Sequence, residues 1–271
     1  MHLKLVLVGC GNMGFAMLSG WLKSGKLKPS DVFVVEPNEA LRVRAAGLNV
    51  ATGSSSQDLP GGEIPEIIVI AVKPQVIRQV IDGYTQFGAG TATFVSIAAG
   101  TPIKTFEAVL GAGTPVLRCM PNTPAAIGKG MMVVYANPAV TATARETISD
   151  LLSASGEVAS IDSEDLMDAV TAVSGSGPAY IFHFIECLTK AAEKVGLPAE
   201  TARLLAMQTV YGAASLAAET REDPGELRRQ VTSPNGTTAA ALDVLMGGEK
   251  LANLLADAVE AARKRSVELG S

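Results

Sequence analysis

The stretch VTSPNGTTAAALDVL, residues 231–245, places hydroxyl and amide side chains immediately before an alanine-rich apolar run. At the start of a helix, such side chains can cap the free backbone N–H groups of the first turn, a task for which one residue is enough. The same N–H groups and the helix dipole also attract anions. Four such side chains lie close together here, namely Ser233, Asn235, Thr237 and Thr238. The stretch therefore fits two interpretations, a helix cap and a ligand site.

A second candidate site lies near the N-terminus, in LVLVGCGNMG. Gly9, Gly11 and Gly14 have the spacing G-x-G-x-x-G, directly after an apolar run and before a helical pattern. In dinucleotide-binding domains the first glycine makes a tight turn, the second lets the backbone approach the pyrophosphate, and the third packs helix on strand. This context favours dinucleotide binding, with Asn12 and Met13 in the same turn, over a turn that is merely rich in glycine.

Glu36 ends the next apolar run, where an acidic side chain would bind the ribose 2′-hydroxyl and repel a 2′-phosphate. Taken alone, this residue predicts NAD. Asn38, Arg42 and Arg44 follow it and would accommodate a 2′-phosphate if Glu36 turned aside, or would form an ordinary solvated helix face. These residues do not decide between NADH and NADPH.

Further cofactor contacts are predicted in three loops, AVKPQ (residues 71–75), SIAAG (96–100) and CMPNTP (119–124). Each loop follows a predicted strand, and ligands of parallel sheets bind at the carboxyl ends of the strands. The alternatives are a surface charge for Lys73 and a turn residue for Asn122. The residues assigned to the cofactor are Ala71, Val72, Lys73, Pro74, Ala98, Ala99, Gly100 and Asn122.

The elements that must position these loops alternate between strands and helices. Strands are predicted at Leu3–Val8, Val32–Val35, Leu48–Ala51, Ile67–Val72, Thr93–Ile97, Val116–Cys119, Met131–Tyr135 and Val158–Ile161. Helices are predicted at Met13–Ser24, Ala40–Ala46, Gln75–Gly83, Ile103–Leu110 and Thr143–Ser153. Continuous apolar strands that alternate with helices predict an α/β fold with a Rossmann-type doubly wound sheet, buried on both faces.

No strand pattern follows Asp162, and long segments such as AETARLLAMQTVYGAASLAAE have helical periodicity. Asp162 and Ser163 are candidate N-caps with acidic residues in the turn that follows. The sequence therefore predicts a nucleotide-binding domain over residues 1–162 and an all-helical domain over 163–271. These helices have more apolar surface than one small domain can cover, which predicts a homodimer.

Composition excludes several other classes of protein. The chain has 48% apolar and 18% charged residues, with a formal net charge of -5 and no basic run interleaved with aromatics, which argues against a nucleic-acid partner. No segment reaches the ~18 uninterrupted apolar residues that are needed to span a membrane. The sequence contains three cysteines, Cys10, Cys119 and Cys187, which lie far apart and form no C-x-x-C pair. Neither a disulfide framework nor a zinc site is therefore expected. The cysteines predict a reducing compartment, the cytoplasm.

The chain has two histidines, and neither has the context of a catalytic base. His2 precedes the first predicted strand, and His183 lies in AYIFHFIE, where packing between helices is the favoured interpretation. A dehydrogenase acting on an alcohol would need such a base. A protonated imine is already activated toward hydride, so its reduction needs mainly orientation, exclusion of water and a hydrogen bond to nitrogen.

The segments VTSPNGTTAAAL, RCMPNTP, AVKPQ and AVSGSGPAY resemble those of the pyrroline-5-carboxylate reductases, over nearly the whole chain. This resemblance implies a Rossmann domain, a helical dimerisation domain, and NAD(P)H-dependent reduction of 1-pyrroline-5-carboxylate to L-proline, the last step of proline biosynthesis. It also implies that each site combines the nucleotide domain of one subunit with helices of its partner. Members of the family often assemble into larger rings of dimers.

The resemblance assigns the first stretch as the substrate loop. Ser233, Gly236, Thr237 and Thr238 would hold the substrate carboxylate, and the Thr238 hydroxyl, the catalytic group, would meet the imine nitrogen. Asn235 departs from the glycine of many relatives, but Asn tolerates a left-handed backbone, so the loop shape is expected to survive.

The resemblance also places the SGSGPAY segment at the pocket, with Ser174, Gly175 and Pro178 as substrate contacts. A break between two helices is the alternative for this segment, and Gly-Pro also suits the start of the following helix.

Two other functions stay open at this stage. A hydroxyacid dehydrogenase of the 6-phosphogluconate type shares the predicted domain plan, but it would require a lysine with an asparagine a few residues on, and neither Lys190 nor Lys194 has one. A non-catalytic nucleotide-sensing protein is the other, and the substrate loop argues against it.

Overall fold

The computed structural model describes residues 3–270, so that His2 lies outside the described residues. Residues 3–161 form the predicted α/β domain around one eight-stranded sheet. The strands are β1 (Leu5–Val8), β2 (Val32–Val35), β3 (Ala51–Gly53), β4 (Ile67–Ile70), β5 (Thr93–Ser96), β6 (Val116–Met120), β7 (Gly130–Ala136) and β8 (Gly156–Ser160). The helices between them are α1 (Asn12–Lys23), α2 (Glu39–Ala46), α3 (Ile77–Asp82), α4 (Ile103–Leu110) and α5 (Ala142–Ser153).

The sheet has the strand order β3-β2-β1-β4-β5-β6-β7-β8. Strands β1 to β6 pair in parallel, and β7 runs antiparallel to β6 and parallel to β8. The direction of winding reverses between β1 and β4, the position at which doubly wound sheets bind ligands beyond the carboxyl ends of their strands. This confirms the predicted fold class and places the glycine-rich turn at the expected edge.

Burial explains why the central strands are continuously apolar. Leu5 and Leu7 of β1 belong to a core that contains Trp21 of α1, whereas Val6 and Val8 belong to a second core that contains Phe106 of α4. Successive side chains of a strand point to opposite faces, so a strand covered by helices on both sides needs an apolar residue at every position.

The third strand begins later in the chain than the sequence predicts. The apolar pattern predicts a strand at Leu48–Ala51, but β3 is Ala51–Gly53. The chain still turns at Asn49, which has a left-handed φ of 62°, after the end of α2. The amides of Leu48 and Asn49 are bonded to the carbonyls of Ala45 and Ala46, so the apolar Leu48 belongs to this turn.

From Glu164 onward the described chain is helical, as predicted. Ser163 caps a short 3-10 turn by accepting a hydrogen bond from the Asp165 amide. The helices are α6 (Met167–Val170), α7 (Gly177–Lys194), α8 (Ala199–Thr220), α9 (Pro224–Gln230), α10 (Thr237–Met246) and α11 (Lys250–Gly270), and a π-helical turn, Thr171–Gly175, precedes α7. None of the helices in the described region combines the length and apolar character needed to cross a bilayer.

Two compact units can be distinguished. The first contains the described residues up to Ser176 together with those from Ala262 onward, and the second is Gly177–Ala261. The turn that carries Ser174 and the end of α11 belong to the first of these units. The predicted boundary between the two domains at residue 162 stays a prediction. Within the first unit, the buried Ser266 of α11 donates a hydrogen bond to Asp168 at 2.6 Å.

The second unit has very little core of its own. Ala202 and Ala206, both on α8, are its buried residues among those described. Many large apolar side chains of these helices are exposed instead, including Phe182 (59%), Leu204 (66%) and Leu254 (66%). An isolated chain would expose far more apolar surface here than soluble monomers do, as the sequence predicted.

Candidate active site

The glycine-rich turn joins β1 to α1 and has the geometry that its spacing predicts. Gly9 has a φ of 89°, and a Cβ at this position would lie 2.6 Å from the carbonyl oxygen of Ala71. A Cβ at Gly14 would lie 2.4 Å from the carbonyl oxygen of Gly9. These two glycines are therefore required by close approach of the backbone, whatever the turn binds.

Gly11 differs from its neighbours because a Cβ there would find no described atom within 4 Å. It is the N-cap of α1, and because glycine has no side chain it gives this helix no side-chain cap. The first turn of α1 also contains no acidic residue. The first amides of α1 are thus free to bind an anion, and the positive end of the helix dipole favours one.

A cavity of about 350 Å³ opens beside this turn, lined by Gly11, Asn12, Met13, Gly14, Ala71, Val72, Lys73, Ile97, Met120 and Pro121. Its lining residues lie at or just beyond the carboxyl ends of strands β1, β4, β5 and β6. Uncapped amides, open space at Gly11 and an apolar wall fit a dinucleotide, whose pyrophosphate needs the amides and whose nicotinamide ring needs the wall.

The remaining predicted cofactor residues do not line this cavity. Pro74 begins the 3-10 turn that follows Lys73. Ala98 is buried in the core, and the Gly100 backbone, with a φ of 69°, packs against Leu269 and Gly270 at the end of α11. Ala99 lies between them, half-buried. Their predicted contact with the cofactor stays a prediction.

Sequence reasoning did not assign Ile97, Met120 or Pro121 to the site. Ile97 and Pro121 directly follow β5 and β6, and Met120 ends β6, so their positions at strand ends were a usable signal. Small and polar residues were favoured instead, although the cavity wall is largely apolar.

Glu36 is buried and turned toward the protein. Its Oε2 accepts a hydrogen bond from the Cys10 amide at 2.7 Å, and its Oε1 accepts one from the Asn38 amide at 2.9 Å. The carboxylate thus links the end of β2 to the glycine-rich turn. This is the inward orientation of Glu36 in which, by the sequence analysis, a 2′-phosphate could be accommodated.

Two arginines surround this junction. Arg42 Nη1 donates to the carbonyl oxygens of Glu36 and Pro37, at 2.8 and 3.1 Å. Arg44 Nη2 donates to the carbonyl oxygens of Cys10 and Gly11, at 2.8 and 3.1 Å. The Arg44 side chain therefore lies against the glycine-rich turn, and the Arg42 side chain lies against the residues that follow β2.

The surroundings of the Cys10 thiol, in the glycine-rich turn, disfavour its thiolate form. Burial raises its pKa to about 11, an effect that the nearby Arg44 guanidinium only partly offsets. Burial likewise raises the pKa of the Cys119 thiol to about 12. Both thiols are uncharged at neutral pH, and the nucleophilic form of cysteine is the thiolate.

Asn122 contacts Ser174, the first residue of the SGSGPAY segment, within the first unit. The Asn122 side chain donates to the carbonyl oxygen of Ser174 at 3.2 Å and accepts a hydrogen bond from the Met131 amide at 2.9 Å. A Cβ at Gly175 would lie 2.5 Å from Met120 Cε, so this glycine leaves room for a residue of the cavity wall. Pro178 lies in the first turn of α7, a position that suits proline.

The predicted substrate loop connects α9 to α10, in the second unit. Gly236 is the N-cap of α10, and no side-chain hydrogen bond caps this helix in the described structure. Asn235 has a left-handed φ of 56°, as expected from its tolerance of that conformation. The interpretation of this cluster as a helix cap is therefore wrong, because the hydroxyls of Ser233, Thr237 and Thr238 accept no hydrogen bond from the first backbone amides of α10. Ser233 and Thr237 are exposed, and Thr238 is half-buried.

His183 does not pack inside the second unit. Its side chain is 73% exposed on α7, with Nδ1 3.2 Å from Glu186 Oε2 and Nε2 3.5 Å from Cys187 Sγ.

A doubly wound sheet, an uncapped glycine-rich turn and an apolar cavity at the switch in strand order define a dinucleotide-dependent oxidoreductase. The chain is 40% identical to the pyrroline-5-carboxylate reductase of Pseudomonas aeruginosa, over 98% of this chain and 96% of that protein. It belongs to the pyrroline-5-carboxylate reductase family and is an NAD(P)H-dependent oxidoreductase.

Family models and solved structures agree with this assignment. Residues 164–269 match the family described as pyrroline-5-carboxylate reductase dimerisation, and residues 4–100 match NADP oxidoreductase coenzyme F420-dependent. The fold matches the reductase of Coxiella burnetii with a TM-score of 0.93 and 34% identity, covering all of both chains. It also matches the Plasmodium falciparum reductase with NADP bound, with a TM-score of 0.84, 30% identity, and coverage of 99% and 98% of the two chains. The chain thus has an NADP-binding type of domain followed by a dimerisation domain.

Proposed function

We propose that the protein reduces 1-pyrroline-5-carboxylate to L-proline with NADPH as the hydride donor, as the last step of proline biosynthesis in the cytoplasm. Similarity to curated reductases over 98% of the chain carries the choice of substrate. The free thiols of Cys10, Cys119 and Cys187 support a reducing compartment.

The substrate loop would hold the carboxylate of the substrate. The uncapped N-terminus of α10 offers backbone amides and a positive dipole end, and the hydroxyls of Ser233 and Thr237 are exposed beside it. Thr238, in the first turn of the same helix, would direct its hydroxyl to the imine nitrogen. An anion held at one end of the ring and a hydrogen bond at the other would fix which carbon faces the hydride donor.

The wall of the cavity supports a mechanism without a strong acid or base. Lys73 is the one titratable residue among the described residues that line the cavity, and the wall is otherwise built largely from Met13, Val72, Ile97 and Met120. NADPH supplies the hydride when it is bound. An apolar wall excludes water from the reacting atoms, and a protonated imine brings its own positive charge, so the protein needs mainly to bind and orient it.

The choice of NADPH over NADH depends on Glu36 and Arg42. The carboxylate of Glu36 accepts hydrogen bonds from the Cys10 and Asn38 amides, and this inward orientation supports NADPH over NADH. Arg42 lies against the carbonyls at the end of β2, where a 2′-phosphate would lie, and one of its Nη groups makes the described contacts. Its other donors would bind the phosphate.

The proposed assembly is a homodimer formed through the second unit, within larger rings of dimers. The exposed apolar residues of α7, α8, α10 and α11 support it, because this unit contains hardly any buried residue of its own.

Initial rates decide between this function and its rivals. Oxidation of NADPH should require 1-pyrroline-5-carboxylate and should not occur with a panel of 2-keto acids. Reduction of NADP by 3-hydroxy acids would indicate a hydroxyacid dehydrogenase instead. Tight NADPH binding without turnover of any substrate would indicate a nucleotide sensor. Calorimetric titration of the same protein with NADPH and NADH measures the cofactor preference.

A further inference from the structure

Arg44, near the end of α2, reaches the glycine-rich turn across 33 to 34 residues of sequence. One nitrogen, Nη2, donates to two successive carbonyl oxygens, at 2.8 Å from Cys10 and 3.1 Å from Gly11. A charged donor makes stronger hydrogen bonds than a neutral one, so this contact helps to orient both peptide groups. The Gly11 carbonyl also accepts a hydrogen bond from the Phe15 amide at 2.9 Å.

The orientation of those peptide groups decides where their amides point. In a trans peptide, the carbonyl of one residue and the N–H of the next point in opposite directions. With the Cys10 and Gly11 carbonyls directed at Arg44, the N–H groups of Gly11 and Asn12 are directed away from it. Gly11 and Asn12 both line the cavity, so these are the amides that would receive a pyrophosphate.

The guanidinium is itself held in place. It lies 4.2 Å above the centre of the Phe15 ring, in the first turns of α1. On the other side of the same turn, the Cys10 amide donates to Glu36 Oε2 at 2.7 Å. Cys10 therefore donates its N–H to the Glu36 carboxylate and accepts a hydrogen bond at its carbonyl from the Arg44 guanidinium. Neither Arg44 nor Glu36 lines the cavity.

We propose that Arg44 is a positioning residue of the cofactor site, which sets the amides of Gly11 and Asn12 for the pyrophosphate and acts equally on NADPH and NADH. This role rests on the proposed function only in that the ligand is a dinucleotide. It separates the two arginines, since Arg42 selects the 2′-phosphate and Arg44 prepares the part of the site that both cofactors share.

A crossed binding experiment tests this separation. The variants are Arg44→Met, which keeps an apolar stem over Phe15, and the matched control Arg42→Met. The ligands are NADPH, NADH and adenosine 2′-monophosphate, which has the 2′-phosphate but no pyrophosphate. Dissociation constants are measured by calorimetry for the two cofactors and by ligand-observed NMR for the mononucleotide.

Arg44→Met should raise the Kd for NADPH and for NADH by the same factor, about tenfold or ~1.4 kcal/mol, and should leave that for adenosine 2′-monophosphate unchanged. Arg42→Met should weaken NADPH and the mononucleotide while sparing NADH. In steady-state kinetics of the Arg44 variant, the KM for NADPH and the KM for NADH should rise by about the same factor, and by more than kcat falls.

Unchanged affinity of Arg44→Met for both cofactors would overturn the proposal, and so would a loss confined to NADPH and the mononucleotide, which would make Arg44 a phosphate ligand. If Arg44→Met does not fold, Arg44→Gln serves in its place, with the same expected pattern, because a neutral amide lacks the charge that strengthens both hydrogen bonds. Failure of the proposed function would appear in the wild-type protein, as an absence of cofactor binding or of turnover, and is thus distinguishable from failure in the variants alone.

Discussion

The glycines of the glycine-rich turn are required for different physical reasons, although the motif has the same residue type at each position. Gly14 is required by packing, since a Cβ there would lie 2.4 Å from a backbone oxygen, whereas a Cβ at Gly11 would meet open space. Packing therefore explains Gly14 but not Gly11, for which cofactor binding is the predicted reason, and substitutions should separate the two.

Gly11→Val should abolish NADPH binding and leave the melting temperature near that of the wild type, because its side chain would project where the pyrophosphate belongs. Gly14→Ala is the control and should lower the melting temperature, because backbone atoms cannot move away from the new methyl. Calorimetry and thermal melts on both variants check this. Normal NADPH affinity in Gly11→Val would show that the glycine-rich turn does not bind the pyrophosphate of the cofactor.

Thr238→Ala should lower kcat/KM for the imine by about 5- to 150-fold, which corresponds to roughly 1–3 kcal/mol for one lost hydrogen bond. Its affinity for NADPH should not change. Complete inactivation is not expected, since the substrate is already activated. Ser233→Ala should act mainly on KM, because a carboxylate is held equally in the ground and transition states. Steady-state kinetics for both variants measure the split, and normal kcat/KM in both would refute the anion-binding role of the loop.

At the scale of elements, the loop before α10 combines a left-handed residue with an uncapped helix. Asn235→Gly should leave both stability and kinetics close to those of the wild type, because glycine adopts the observed φ of 56° freely. Asn235→Ala should destabilise the protein by about 1–2 kcal/mol, since alanine is strained in this region. Chemical denaturation with kinetics on the same preparations checks both, and equal stability of the two variants would show that the loop relaxes.

The positions of most elements could be predicted because local patterns determine them. Apolar runs gave all eight strands, and α4 begins and ends at the predicted residues, Ile103 and Leu110. The third strand was placed too early because the left-handed turn at Asn49 has no apolar signature. The glycine-rich turn was predictable from its spacing, but the inward direction of Glu36 was not, because it depends on an amide 26 residues away in the chain.

The role of Arg44 could not be predicted for the same reason. Its partners are backbone carbonyls of another element, and a backbone carbonyl is present at every residue and leaves no mark in the sequence. The absence of a side-chain cap on α10 was likewise invisible, since Ser, Thr and Asn are the usual capping residues.

The whole molecule places its apolar surface unevenly. The α/β domain buries large side chains on both faces of its sheet, whereas Gly177–Ala261 leaves Phe182, Leu204, Tyr211 and Leu254 exposed. A second copy of the chain would cover such a surface most simply through a two-fold axis, because each copy then offers the same apolar patch to the other. Folding of this unit and association would then be one process.

An obligate dimer should therefore persist at assay concentration, and light scattering should detect no active monomer. Leu204→Glu should weaken association and activity together, because it places a charge in an apolar contact, whereas Arg203→Glu on the same helix is a control of similar exposure. A fully active monomer would refute the assembly.

The family resemblance further implies that each site draws on two subunits, which subunit mixing can test. Gly11→Val disables the nucleotide domain and Thr238→Ala the substrate loop, so each variant alone should be weak or inactive. If sites are shared between subunits, a mixed dimer contains one site with an intact turn from one chain and an intact loop from the other. Co-refolded variants should then be more active than the average of the two separate preparations. If each site were built from a single chain, every site in the mixture would keep one defect, and activity would equal that average.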